Sequence, residues 1–326
     1  MYKINKNFFI ICIIIIFITG CAKSTEPVSS EDILKIDIFY STIGYGRDIF
    51  VSDSLLYIAE DQGGFSIYNH LTDMQYCNFI TTFENARLIS AVEEDSILFV
   101  YDRYGTFAGV RAFNISDLTD PQEEMLLTGL LIEAIKTYAN DNGNIEILAT
   151  KGNMYYYGEY YDNVWWSDYY YFPNYLTGFD VDSTYIYLGG EQLGLYIVDR
   201  ATGDILSMTD TPGEVLAVKL VNNYVFIADK QEGFSIIDVS DINNPEIIFQ
   251  QDTSGWAQSI DVEGNFLVIG SGGGGVYLYD ISDVQSPHFV DRLDDAIIGY
   301  TYRVKIWNGK IFAATKKGVY KLSFEI

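Results

Sequence analysis

Three acids recur at one register of the chain. Glu60, Asp102 and Asp229 each close a short apolar run, in YIAE, FVYD and VFIAD. Thr150, Gly190, Ser271 and Thr315 hold the matching place elsewhere. Carboxylates gathered at one mouth are the oxygen donors that a hard cation takes. A full ligand set is not visible and no metal is expected, but these three would be the ligands in the alternative reading of a metal-dependent propeller hydrolase or lactonase. The competing reading is that an acid suits a turn, because its oxygens accept from nearby backbone N–H groups.

Nucleophilic chemistry finds less support. The two histidines, His70 and His288, fall at turns on the side away from those acids, a poor geometry for a Ser-His-acid relay. No HExxH and no G-x-S-x-G motif occurs. Ser271–Gly275 (SGGGG) lacks the helix and the Lys-Ser/Thr of a phosphate loop, so it reads as a hairpin turn. No catalytic residue and no bound cofactor is expected.

Side chains suited to binding are more prominent. Arg103 and Tyr104 lie in the longest loop of their kind, 102–108. Trp256 and Tyr300 follow Gly255 and Gly299 at equivalent turns. Between Tyr155 and Tyr175, twelve of 21 residues are aromatic, Trp165, Trp166 and Tyr169 among them. Flat amphipathic rings beside carboxylates stack on sugars or grip protein partners. The bland alternative is an outer hairpin packed on its neighbours.

The elements that position these residues follow from a repeat. Runs of about five apolar residues between Gly, Asn and Asp turns read as strands. The glycine that opens one strand recurs at Gly64, Gly109, Gly152, Gly194, Gly233, Gly275 and Gly318, at spacings of 45, 43, 42, 39, 42 and 43. A period near 42 with about four strands predicts an all-β, seven-bladed β-propeller of four-stranded antiparallel blades. The last unit stops after its third strand, and the spare run 33–40 precedes the first. The N-terminal strand therefore completes the last blade, leaving no open edge.

The run LYIVD at 195–199 resembles the signature of the LVIVD-repeat family, bacterial and archaeal surface proteins read as β-propellers. Asp238-Val239-Ser240-Asp241 with Pro245, Asp280-Ile281-Ser282-Asp283 with Pro287, and Asn114-Ile115-Ser116-Asp117 with Pro121 carry the same strand ending. The resemblance covers nearly all of 33–326 as seven LVIVD-like repeats. It is weaker in the last unit and poor in the third. It brings no catalytic motif.

Residues 1–20 read as a lipoprotein signal peptide: Lys3 and Lys6 precede an apolar core, and Ile18-Thr19-Gly20-Cys21 resembles a bacterial lipobox. Cys21 would carry a covalent lipid, and 21–32 would be a flexible tether. The expected location is exported and lipid-anchored, at the outer membrane or cell surface. The net charge of −25 argues against nucleic acid, which needs basic patches. Only Cys77 would remain as a free thiol, so no internal disulfide is expected. The expected role is a non-catalytic scaffold for a protein or glycan partner, attached to the membrane through the anchor.

Overall fold

The computed structural model describes residues 32–80, 83–106, 108–140 and 142–325. The expected leader, Cys21 and the expected tether before Asp32 lie outside the described residues. Among the described residues, no helix is long and apolar enough to cross a membrane.

The described residues form 28 strands in seven antiparallel four-stranded sheets. Blades 1 to 6 take consecutive segments: 48–79, 86–128, 134–171, 176–209, 217–251 and 259–293. Blade 7 takes 301–323 and adds strand Lys35–Tyr40, which pairs antiparallel with Gly318–Ser323 from Lys35↔Ser323 to Tyr40↔Val319. The seven-bladed propeller and its closure are as the repeat predicts. Backbone N–H groups of Ile33 and Leu34 donate to Asp291 of blade 6, both at 2.7 Å. Lys321 pairs with Asp73 of blade 1 at 3.1 Å. The joint is thus tied to both neighbouring blades.

Position within the blade follows residue type. Second and third strands are apolar on both faces, as in Val225-Phe226-Ile227-Ala228, and are buried on both. Fourth strands such as Glu246–Gln251 are largely exposed. The apolar faces meet between blades in separate clusters. One joins Phe234 and Ile236 of blade 5 to Tyr277 and Tyr279 of blade 6.

All seven repeat glycines have positive φ, from +58° to +152°. A Cβ at Gly64, Gly109, Gly194, Gly233 or Gly275 would also collide with a carbonyl oxygen of the adjoining fourth strand. Only glycine accepts both the backbone and the approach. At Gly152 nothing lies closer than 4.0 Å, and blade 3 departs in another way too. The other six blades carry a bulge where their outermost strand pairs. Blade 3 instead has an unbroken hairpin of two eight-residue strands, Met154–Tyr161 and Val164–Tyr171. Its turn, Asp162-Asn163, has φ of +50° and +59°, the type I′ geometry that suits regular hairpins. In the repeats with the Asp-x-Ser-Asp ending, Asp238 and Asp280 accept from the N–H two residues on, each at 2.8 Å.

The first strands surround an axial channel of about 240 Å³. Asp48, Asp180 and Asp261 each face both neighbouring blades there. Asp48 accepts from Arg303 Nε of blade 7 at 2.7 Å and from Ile89 N of blade 2 at 3.1 Å. Asp180 accepts from Lys136 Nζ of blade 3 at 2.6 Å and from Leu220 N of blade 5 at 2.8 Å. Asp261 pairs with Lys219 of blade 5 at 3.0 Å and accepts from Ile306 N of blade 7 at 3.1 Å. Ser90 and Thr137, 2.8 Å apart, span blades 2 and 3. Every junction between blades is crossed, and the ring closes on itself. Burial alone would raise the Asp261 carboxyl, but Lys305 and Lys219 outweigh it and hold it below the usual carboxylate range.

Asp180→Ala leaves the Lys136 ammonium and the Leu220 N–H unpaired inside the channel. The expected loss is about 3–5 kcal/mol in chemical denaturation. Lys310→Ala, which breaks the surface pair with Asp37, should cost less than about 1 kcal/mol. Equal losses would show that the ring is not special.

Candidate functional site

Two sets of turns open on one face of the disc: those joining second to third strands, and those joining one blade to the next. The seven recurrent second-strand endings lie there. Glu60 accepts from Ile43 N at 3.0 Å and also bonds Ser66. Asp102 accepts from Glu84 N at 3.1 Å and Asn85 N at 2.7 Å. Asp229 accepts from Thr211 Oγ1 at 3.0 Å and Gly213 N at 3.2 Å. Ser271 donates to Ser254 O at 2.6 Å, and Thr315 to Ile298 O at 2.7 Å. In each case the side chain clamps the loop that leads into its own blade.

Glu60, Asp102 and Asp229 are thus turned into their own blades rather than toward one another. All three residues are 0% exposed, and their oxygens are used on their own loops. Among the described residues, no group of three or more His, Cys, Asp or Glu is placed to hold a metal ion. Burial, outweighing these hydrogen bonds, pushes all three carboxyls above the usual range.

The binding candidates separate into two places. Arg103, Tyr104, Trp256 and Tyr300 belong to the clamped face. Tyr104 is 55% exposed with Arg103 5.7 Å from its ring centre, and Trp256 is 52% exposed under the Lys230 ammonium at 5.1 Å. Tyr300 lies over Gly272, where a Cβ would stand 2.8 Å from the ring, so the glycine hairpin is a seat for an aromatic. The hairpin residues Trp165, Trp166 and Tyr169 stand on the outer rim of blade 3, with their turn toward the opposite face. Trp165 is 7% exposed and fills the core between blades 2 and 3. Trp166, 57% exposed, stacks on Tyr161 at 6.2 Å, and Tyr169 meets Tyr171 edge-on at 5.1 Å.

One feature was missed. Where the channel opens on the clamped face, a cavity of about 200 Å³ is lined by Arg47, Arg87, Arg103 and Arg303, four of the seven arginines in the chain. Tyr101, Tyr302 and Glu133 complete its wall. Its rim takes one residue from each blade at the head of the first strand: Arg47, Arg87, Glu133, Thr177, Leu216, Gln258 and Tyr302. That column recurs at the same period as the glycines. Aligning it by period would have exposed two basic residues in neighbouring units. Arg47 pairs with Asp61 at 2.7 Å and lies 4.4 Å over the Tyr302 ring. Arg303 pairs with Asp48. Among the described residues, no carboxylate lies within ion-pair distance of Arg87 or Arg103.

Comparison with known proteins bears on the repeat and the fold. The LVIVD repeat model matches residues 212–253 and 254–295, which hold blades 5 and 6 with the loops leading into them. No curated protein matches the chain. Among solved structures, the crystal structure of the computationally designed Ika8 protein is similar, with a TM-score of 0.61 and 15% identity over 87% of this chain and 98% of that one. At that identity the likeness shows the fold alone.

Clamping by a raised carboxyl carries a sign. Because the folded value exceeds the unfolded one, the contribution of Asp229 is fully present below about pH 4 and is lost as pH rises through the raised value. Asp229→Asn should therefore equal or exceed the wild type in denaturation midpoint at pH 7, with the advantage vanishing toward pH 4. A clear loss at pH 7 would mean that an ionised carboxylate is required there.

Proposed function

We propose that this chain is an exported, lipid-anchored and non-catalytic binding propeller whose clamped face carries the partner site. The supporting observation is the pair of exposed aromatics, Tyr104 and Trp256, each beside a cation on a face whose loops are held by buried side chains. Rigid aromatic anchors lose little entropy on binding, which is why they concentrate at interface hot spots. Cys21 takes the lipid, and the tether 21–32 sets the disc off the membrane.

A second reading is favoured by the blade 3 hairpin. Trp166 stacked on Tyr161, with Tyr169 and Tyr171 exposed nearby, forms a flat platform of the kind that stacks on sugar rings. In this reading the segment 155–175 is a glycan-binding surface.

Two experiments test these readings. Native membranes are crosslinked, and the full lipidated protein is recovered as wild type, as Tyr104→Ala/Trp256→Ala, and as Trp166→Ala/Tyr171→Ala. A partner lost only in the first pair supports the clamped face. A partner lost only in the second pair, or quenching of tryptophan fluorescence by cell-wall polysaccharide, moves the site to the hairpin. Separately, Cys21→Ser should shift the protein from the membrane to the soluble fraction and abolish incorporation of labelled fatty acid. Retention with label would sink the anchor assignment.

A further inference from the structure

We propose that the arginine-lined axial cavity binds a small oxyanion, a carboxylate or phosphate group, held by Arg87 and Arg103. The proposal deepens the binding reading above by naming a ligand class on the same face.

Two of the four guanidinium groups are already satisfied, Arg47 by Asp61 and Arg303 by Asp48. They build the wall. Arg87 and Arg103 are not. Arg87 Nε donates to Asn85 Oδ1 at 2.8 Å, which fixes the plane of the group. Its terminal nitrogens make no hydrogen bond among the described residues. Burial, and then the charges of Arg47 and Arg103, push the Arg87 guanidinium below its ordinary value. Asp61, already paired with Arg47, offsets this only in part, and half-buried like charges with no carboxylate in contact are costly.

The chain has 45 acidic residues against 20 basic ones, so a neutralising carboxylate is easy to supply. Only Glu133 lines the cavity, and its Oε1 already accepts from Tyr175 Oη at 2.8 Å. Against four guanidinium groups stand Asp61, Asp48 and Glu133, and the one positive charge left over fits an anionic ligand. The fork of a guanidinium matches two oxygens of a carboxylate or phosphate. About 200 Å³ is ample for a small anion, since one water needs about 10–15 Å³. A long polyanion is disfavoured, because the rest of the surface is strongly acidic.

The test is calorimetric titration of the full-length protein with sodium phosphate and, separately, sodium succinate, each against sodium chloride at matched ionic strength. The expected result is one saturable site with Kd below about 1 mM for one of the two probes, and the preferred probe tells phosphate from carboxylate. Arg87→Gln and Arg103→Gln should each weaken it roughly tenfold or more. Lys310→Gln, on the opposite face, should bind as wild type. In the absence of the anion, Arg87→Gln should keep or raise the melting temperature, because it relieves repulsion. A structural role would lower it instead. Failure of both probes to saturate, unchanged binding in both arginine variants, or a lower melting temperature in Arg87→Gln would each overturn the proposal. If Tyr104→Ala/Trp256→Ala still loses a partner while neither probe binds, the face stands and the anion site falls. Saturable binding lost in the arginine variants, with no partner lost, supports the anion site and removes the wider face.

Discussion

Closing seven wedge-shaped sheets into a ring puts their first strands, and their charges, around a common axis. The disc depends on how those strands are held together. Apolar packing between blades is non-directional and could accept a shifted or splayed neighbour. The axial ring cannot. Asp48, Asp180 and Asp261 each need a cation from the preceding blade and an N–H from the next, within hydrogen-bond range at once. Buried carboxylates tolerate no loss of partner. The blades are therefore indexed to one another through the axis, while the aromatic clusters between them supply most of the favourable burial.

That division explains what could be read in advance. The period was visible because Gly64, Gly109, Gly194, Gly233 and Gly275 answer a local demand, a positive φ under an approaching strand. The closing strand was visible because one strand was missing and another was spare. The axial ring was hidden because Lys136 and Asp180 lie 44 residues apart and become neighbours only when their two blades pack around the axis. The arginine cavity was hidden for the same reason. Glu60, Asp102 and Asp229 were noticed as a set, but their common register reflects a shared loop clamp rather than a shared ligand. Trp165 and Trp166 show the limit of composition: adjacent identical residues on a strand point to opposite faces, so one is core and the other is surface.

The distribution of charge also has an internal logic. Acids spread over the outside give solubility, and those at the loop bases are buried, which pushes their carboxyls above the usual range. Arginines are few and concentrated at the axis. Cys77, partly buried with its thiol pushed up to about 11 by burial, is kept in its unreactive form.

The closing strand bears on how the disc meets mechanical force. A pull on the chain ahead of Ile33 first reaches the Asp291 carboxylate, which grips two successive N–H groups on the neighbouring blade. Beyond it, a load directed along strand Lys35–Tyr40 falls on the whole ladder to Gly318–Ser323 at once, so its bonds share the strain instead of failing one after another. Lys310 and Ser323 grip Asp37 at the bulge midway along. Forced unfolding is governed by the unfolding rate and not by equilibrium stability. The end of the chain that enters the ring is thus built as a shear joint, and a load on it is shared between blade 7 and the Asp291 carboxylate of blade 6.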